Sequence, residues 1–293
     1  MKESRESLEL DKILSAAAAY AVLEGGKERL ASFEPTSDIG EARRLLDLTE
    51  EASLLLLTLG AGRVLYYPPQ GDALERAEKG ATLSCTELLS AAALLRSARA
   101  CLHSVHSFAD ERIVRLKELT EYLIFDHALE EDITTKIIGE NELQDHASDK
   151  LFAIRREIRL LNERIRARLQ EYLAGGERKY LQDELITMRG DRYVLPVKVE
   201  YKRAVRGLIH DRSQSGQTVF IEPEEVLEMN NELRTLHLDE EQEIARILSE
   251  LSHRVGALRE ALERDMDILA EVDSFYARAE YGHRLKCVRP VLN

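Results

Sequence analysis

The sequence predicts a mainly α protein, in which a helical core is joined to long antiparallel helices that carry a small β-rich insertion. Three observations predict it. Apolar residues recur at three- and four-residue spacing through two long segments, 148–174 and 224–281. The stretch between them, 181–222, changes to β-prone runs separated by turns. Composition agrees: there is no Trp, aromatics are 5%, and 32% of the 293 residues are charged, with Leu, Ala, Glu and Arg abundant. The length suffices for two domains around a substantial core.

In the first 128 residues, Ile13, Leu14, Ala17, Ala18 and Ala21 share a helical face, and Gly25-Gly26 reads as the C-cap that closes it. Residues 27–33 continue that helix or begin another, which Pro35 ends. Asp38 starts the next, with Leu45, Leu46, Leu48 and the run 54–57 on its apolar stripe. Gly60, Gly62, Pro68, Pro69 and Gly71 mark a loop. Segments 74–79, 87–107 and 110–125 supply further helices. Ile133, Thr134, Thr135, Ile137 and Ile138 favour strand and Gly139-Glu140-Asn141 a turn, so a hairpin is expected near 132–146.

Ser148 is a good N-cap for the first long helix. After it, Leu151, Ile154, Ile158, Leu161, Ile165, Leu169 and Tyr172 form a near-heptad seam that stops at Gly175-Gly176, roughly 40 Å long if straight. In the insertion, Tyr193, Leu195, Val197 and Val199 share one face of a strand, and Pro196 restricts that strand to an edge or forces a bulge. From Glu224 the second stripe (Met229, Leu233, Leu236, Ile244, Ile247, Leu251, Val255, Leu258, Leu262, Leu269) runs on the order of 80 Å if unbroken. Antiparallel pairing of the two helices is the economical way to bury both stripes. Charge favours it: residues 150–171 hold seven Lys/Arg against three Glu, whereas 222–265 hold five Arg against thirteen Asp/Glu. Each exposed pair contributes only ~0–1 kcal/mol, so the charges set orientation while the apolar seam supplies most of the stability.

Several classes of function find no support. No apolar run approaches the ~20 residues that span a bilayer, and Glu3, Glu6 and Glu9 interrupt any signal-peptide pattern, so a cytoplasmic protein without membrane contact is expected. Cys85, Cys101 and Cys287 are too few and too widely spaced for a disulfide framework or zinc site. Gly25-Gly26-Lys27 lacks the spacing and hydroxyl of a phosphate loop. Cys101, His103 and His106 hold possible metal donors, yet on an alanine-rich helix they read as ordinary packing. His210, Asp211 and Ser213 have the residue types of a hydrolase triad, but neighbours in sequence rarely orient as nucleophile, base and orienter. Glu222, Glu224, Glu225 and Glu228 read as complements to a helix dipole.

The insertion is what points to a ligand. Nine Lys/Arg stand against five Asp/Glu between 178 and 215, in a chain whose net charge is -13. Lys198, Lys202, Arg203, Arg206 and Arg212 would form a local footprint for a polyanion, with a solvated β-surface as the plainer reading. His210, Ser213 and Ser215 join them as candidate contacts, the serines and Thr218 as phosphate donors, with Gly216 allowing close backbone approach. A hydrogen-bonded turn explains the same residues structurally. Tyr193 and Tyr201 could stack on bases or belong to the core.

Several motifs resemble the N-terminal region of the second bacterial MutS family, endonuclease MutS-two. They are Leu8-Glu-Leu-Asp-Lys-Ile13, Leu74-Glu-Arg-Ala-Glu-Lys-Gly80, Tyr180-Leu-Gln-Asp-Glu-Leu-Ile-Thr187 and Arg192-Tyr-Val-Leu-Pro-Val-Lys198. The most specific are His210-Asp-Arg-Ser-Gln-Ser-Gly-Gln-Thr218 with Phe220-Ile-Glu-Pro223, followed by Asn230-Asn-Glu-Leu233. The resemblance covers essentially the whole chain. It implies a helical core over 1–147, a first lever helix over 148–177, a β-rich clamp-like insertion over 178–222, and a returning lever helix with the end of the core over 223–293. It further implies a nucleic-acid-binding lever and clamp module of a mismatch-repair-related ATPase and endonuclease, cut before both catalytic domains, so that the fragment itself is not an enzyme. ATP and Mg would bind only in the absent ATPase domain. Partners implied are branched or double-stranded DNA, or ribosomal RNA and the ribosome, with roles in recombination control and ribosome rescue, and a homodimer in the full-length protein. The alternative is a structural arm for dimerisation or protein docking. Cys85 and Asp149 depart from the family's pattern, standing at helix starts where proline is expected, which bears on local capping.

Overall fold

The computed structural model describes residues 9–59 and 64–292. Leu8 of the first motif, the loop glycines Gly60 and Gly62, and Asn293 lie outside the described residues. The helices are α1 (Leu10–Ala18), α2 (Glu24–Ala31), α3 (Ile39–Leu59), α4 (Ala73–Glu78), α5 (Cys85–His106), α6 (Arg115–Thr120), α7 (His127–Lys136), α8 (Asp149–Ala174), α9 (Glu224–Ala257) and α10 (Arg259–Leu285). The strands are β1 (Ile137–Gly139), β2 (Glu142–Leu143), β3 (Thr187–Arg189), β4 (Arg192–Lys198), β5 (Gly207–Arg212) and β6 (Thr218–Pro223). The chain is thus mostly helical with two small antiparallel sheets. It forms two compact units, residues 1–142 with 248–293, and residues 143–247, the return to the first unit falling within α9.

In the first unit, α5 and α10 supply much of the core: Leu88, Leu94, Leu95, Ala98 and Cys101 from one, Leu269, Val272 and Phe275 from the other. Helices α2 and α6 lack side-chain caps of their own, and their starts are held by buried carboxylates from other helices. Asp273 of α10 accepts the Val22 and Leu23 N–H groups at 3.1 and 2.8 Å, at the start of α2. Glu51 of α3 accepts Arg115 and Leu116 N–H at 3.0 and 2.8 Å, at the start of α6. Asp265 accepts Ile124 N–H at 3.1 Å. Each satisfies N–H groups that a helix start or loop would otherwise bury unpaired.

This corrects the reading of Gly25-Gly26. The pair lies in the first turn of α2 and does not end a helix. A Cβ on Gly26 would fall 2.2 Å from Asp273 Oδ2, so glycine is there to admit the carboxylate. Three further expectations change. Residues 133–135 are helical, in α7, and only β1 and β2 form the hairpin. Threonine hydroxyls 134 and 135 bond back to the carbonyls of Glu130 and Glu131 at 2.9 and 2.7 Å, which satisfies these β-branched residues within the helix. Segment 110–125 holds one short helix, α6. The second long stripe breaks at Leu258 (φ -100°, ψ 7°), just after Gly256, where a Cβ would fall 2.6 Å from the Ala77 backbone.

The two departures at helix starts leave capping intact. Ser84 Oγ accepts Glu87 N–H at 3.3 Å while Glu87 accepts Ser84 N–H at 2.8 Å, a complete capping box. Ser148 Oγ accepts Leu151 N–H at 3.0 Å. His106 Nε2 lies 3.2 Å from Thr120 Oγ1, and Cys101 is enclosed in the core. No described helix is long and apolar enough to cross a membrane, and among the described residues no cluster of three or more His, Cys, Asp or Glu could hold a metal ion.

In the second unit α8 and α9 run antiparallel, as their cross-pairs show: Arg168 with Glu225 at 2.8 Å, Arg155 with Glu240 at 2.7 Å, and Ser148 with Glu243 at 2.8 Å. Between them, Ile154, Ile158, Leu161, Ile165 and Leu169 of α8 and Val226 and Leu233 of α9 share one apolar cluster with the sheet. Glu243 is almost fully buried, and Arg246, with Ser148 and Lys150, holds its carboxyl down to about 2.

Candidate nucleic-acid interface

The insertion is a four-stranded antiparallel sheet in the order β3-β4-β6-β5. Tyr193, Leu195 and Val197 of β4, with Val219 and Ile221 of β6, join the cluster of α8 and α9. Pro196 does not make β4 an edge strand, nor does it cause a bulge: β4 pairs with β3 up to Val194 and with β6 in unbroken register from Leu195↔Ile221 to Lys198↔Thr218. Pro196 is accommodated because its carbonyl accepts Gln182 N–H at 2.8 Å. The N and C=O of one strand residue face the same side, so the missing N–H faces residues 181–182, beyond the end of β3, and β6 loses no bond. The bulge lies in β5, at His210, between the pairs Ile209↔Ile221 and Asp211↔Phe220.

That bulge turns His210 toward a polar network built from the family-like motifs. Glu222 is fully buried in β6. Its Oε2 meets His210 Nε2 at 2.5 Å, and its Oε1 accepts from Arg192 at 2.7 Å and from Asn230 Nδ2 at 2.7 Å. Asn230 also clasps the Tyr193 backbone, N–H and C=O, at 3.1 Å each. Arg192 reaches on to Asn231 Oδ1 at 2.5 Å. A buried carboxylate is stable only when so fully paired. Glu222 therefore does not complement the α9 dipole: it joins β4, β5 and β6 to that helix.

The candidate contacts divide accordingly. His210 belongs to the network. Ser213 Oγ accepts Thr218 N–H at 3.0 Å and lies 3.2 Å from Ser215 Oγ, inside a turn completed by Gly216 at φ +72°. Asp211 accepts the Arg212 N–H at 2.7 Å and faces Arg189 at 3.5 Å. His210, Asp211 and Ser213 thus each have other partners, and no Ser–His–Asp relay forms among them. Lys198 Nζ donates to Lys179 O at 3.3 Å. Lys202, Arg203, Arg206 and Arg212 are exposed, and among the described residues their side chains make no ion pair or hydrogen bond. They follow β4, open β5 and end it, so one sheet and its loops carry all four.

The two tyrosines separate. Tyr193 is buried, with its hydroxyl on Asn162 Oδ1 at 2.7 Å. Tyr201 is exposed, in the 3-10 turn Val199–Tyr201, and its ring centroid is 5.1 Å from that of Tyr180. Sequence reasoning missed Arg192, Asn162 and Asn230 as partners and Lys179 as a neighbour of the basic group. Only the recurrence of Glu222, Asn230 and Arg192 in the quoted motifs hinted at a shared role.

No family model matches the chain. Among curated proteins it is 40% identical over 294 residues to an endonuclease MutS2 of Geobacillus thermodenitrificans, covering 98% of this chain and 37% of the relative. It is 36% identical to the endonuclease MutS2 of Clostridium beijerinckii (99% and 37%) and 35% identical to a putative endonuclease MutS2 of Bacillus subtilis (98% and 37%). The chain therefore spans about 37% of the length of these relatives.

Proposed function

From the premise that this chain is a MutS2 relative over nearly its whole length, we propose that it is a nucleic-acid-binding lever and clamp segment whose sheet grips a phosphate backbone. Lys202, Arg203, Arg206 and Arg212 make the phosphate contacts, with Lys198 beside them; Lys198 spends one of three donors on Lys179 O. His210, Ser213 and Ser215 support the grip by shaping the β5–β6 hairpin. The contacts carry no sequence readout, since none of them depends on base edges. The ligand is branched or double-stranded DNA or ribosomal RNA, which present the same phosphates. Within a longer homodimeric, cytoplasmic protein, α8 and α9 transmit the grip to an ATPase that uses ATP and Mg, and the segment itself does no chemistry.

One observation carries this reading: four exposed cations, unpaired among the described residues, on one small sheet and its loops in a chain with net charge -13. The test is fluorescence anisotropy with a labelled four-way junction and a structured RNA, comparing wild type with the quadruple change Lys202→Glu, Arg203→Glu, Arg206→Glu and Arg212→Glu. Wild-type binding that the quadruple variant lacks supports the reading. Equal affinity of the two proteins, or no binding by wild type, ends it.

A second reading has one observation in its favour. Edge strand β5 exposes Leu208 and Ile209, 54% and 46% accessible, as a docking arm would. Sedimentation equilibrium without nucleic acid discriminates: a tight dimer lost on Leu208→Lys favours the arm.

A further inference from the structure

We infer that the preferred ligand contains unpaired nucleotides, and that Tyr201 is the platform on which one of their bases stacks. This rests on the nucleic-acid reading above and narrows its substrate class. Tyr201 differs from every other aromatic near the basic group. Tyr193 is buried and its hydroxyl is committed to Asn162, while Phe220 lies under the Arg189 guanidinium at 4.1 Å. Tyr180 packs on the unit's apolar cluster and lies 5.1 Å from Lys179 Nζ. Tyr201 alone of these is exposed, at 38%, and among the described residues its hydroxyl has no hydrogen-bond partner.

Its mount is firm. Tyr180 backs it, with the ring planes tilted 45°. The turn that carries it is closed on both sides, by Val199 N–H to Gln217 O at 2.9 Å and Ala204 N–H to Tyr201 O at 2.8 Å. A ring held this way loses little freedom when a base covers it. The chemistry of its surroundings matches a nucleotide. Lys198 precedes the turn, Lys202 and Arg203 follow it, and Lys179 is tied to the same place through its carbonyl bond with Lys198. Cations that track phosphates around an aromatic face are the elements of a single-strand site. A continuous duplex could use the cations but not the ring, because its base faces are covered by their stacked neighbours. A gap, loop or branch point offers both.

The test measures binding of the whole chain to fluorescein-labelled oligonucleotides of about 16 nucleotides at one salt concentration. The probes are single-stranded thymidine DNA, single-stranded uridine RNA, the same DNA strand with abasic sites, and a perfect duplex. Stacking by one base predicts that Tyr201→Ala binds single strands about tenfold more weakly and duplex with unchanged affinity. Tyr201→Phe keeps the ring and stays within about twofold of wild type. Wild type binds the abasic strand about tenfold more weakly than the intact one, a result that needs no variant to fold. Preference for either the DNA or the RNA strand over duplex supports the inference. It is overturned if Tyr201→Ala weakens all probes equally or none, or if abasic and intact strands bind alike. In that case charge reversal still weakens binding and the phosphate grip stands; failure of wild type to bind any probe removes both.

Discussion

Asp265 and Asp273 bring carboxylates into the interior of the first unit without forming an ion pair among the described residues, each serving backbone N–H groups instead. Burial is the dominant influence on both and raises their affinity for a proton; Asp265 is pushed up to about 7, with the Ile124 N–H and the Arg264 charge opposing. The sign follows from linkage. A carboxyl whose folded value exceeds its unfolded value near 3.9 binds more protons folded than unfolded between the two, so its contribution is fully present below about pH 4 and is lost as pH rises to about 7. Asp265→Asn keeps an acceptor for Ile124 N–H but cannot ionise. Its stability relative to wild type should therefore climb between pH 4.5 and 7.5, by at most about 1.4 kcal/mol per pH unit. Urea denaturation at stepped pH measures this, and a difference that stays constant with pH would contradict it.

At the scale of elements, periodicity located α8 and the apolar stripe of α9 because burial imposes helical spacing on the sequence. The seam residues Leu151, Ile154, Ile158, Leu161, Ile165 and Leu169 are all buried. What periodicity does not carry is a contact made by backbone. The α2 start at Gly25-Gly26 and the α9–α10 break near Gly256 are set by close approach of a carboxylate and of another chain segment, and a lone sequence reads such glycines only as punctuation. The basic character of the insertion was likewise legible as composition, whereas its division into committed and unpaired side chains was not: Arg192 and Lys202 look alike until Glu222 is seen beside one of them. Glu222 joins three strands and α9, so removing it leaves Arg192, His210 and the Asn230 amide without their shared acceptor. Glu222→Ala is expected to destabilise the second unit by about 3 kcal/mol, read as a lowered urea midpoint. A change below ~0.5 kcal/mol would mean that the network is dispensable.

For the molecule as a whole, net charge and local charge act in opposite directions on a polyanion. An acidic chain is repelled at long range, so binding must come from few, close contacts and respond steeply to salt. Four phosphate contacts to duplex DNA at about 0.9 released counterions each predict an affinity loss of about a hundredfold between 50 and 200 mM salt. A slope near zero would exclude the proposed grip. The Asp273 bonds to Val22 and Leu23 have one more consequence, since they join positions 251 and 250 residues apart. A ribosome makes the entire second unit, 143–247, before it reaches α10. The first unit, begun earlier, must wait for that last helix to close around its own N-terminal turn. The second unit can therefore close before the first, and the α2 start stays uncapped until Asp273 has been made.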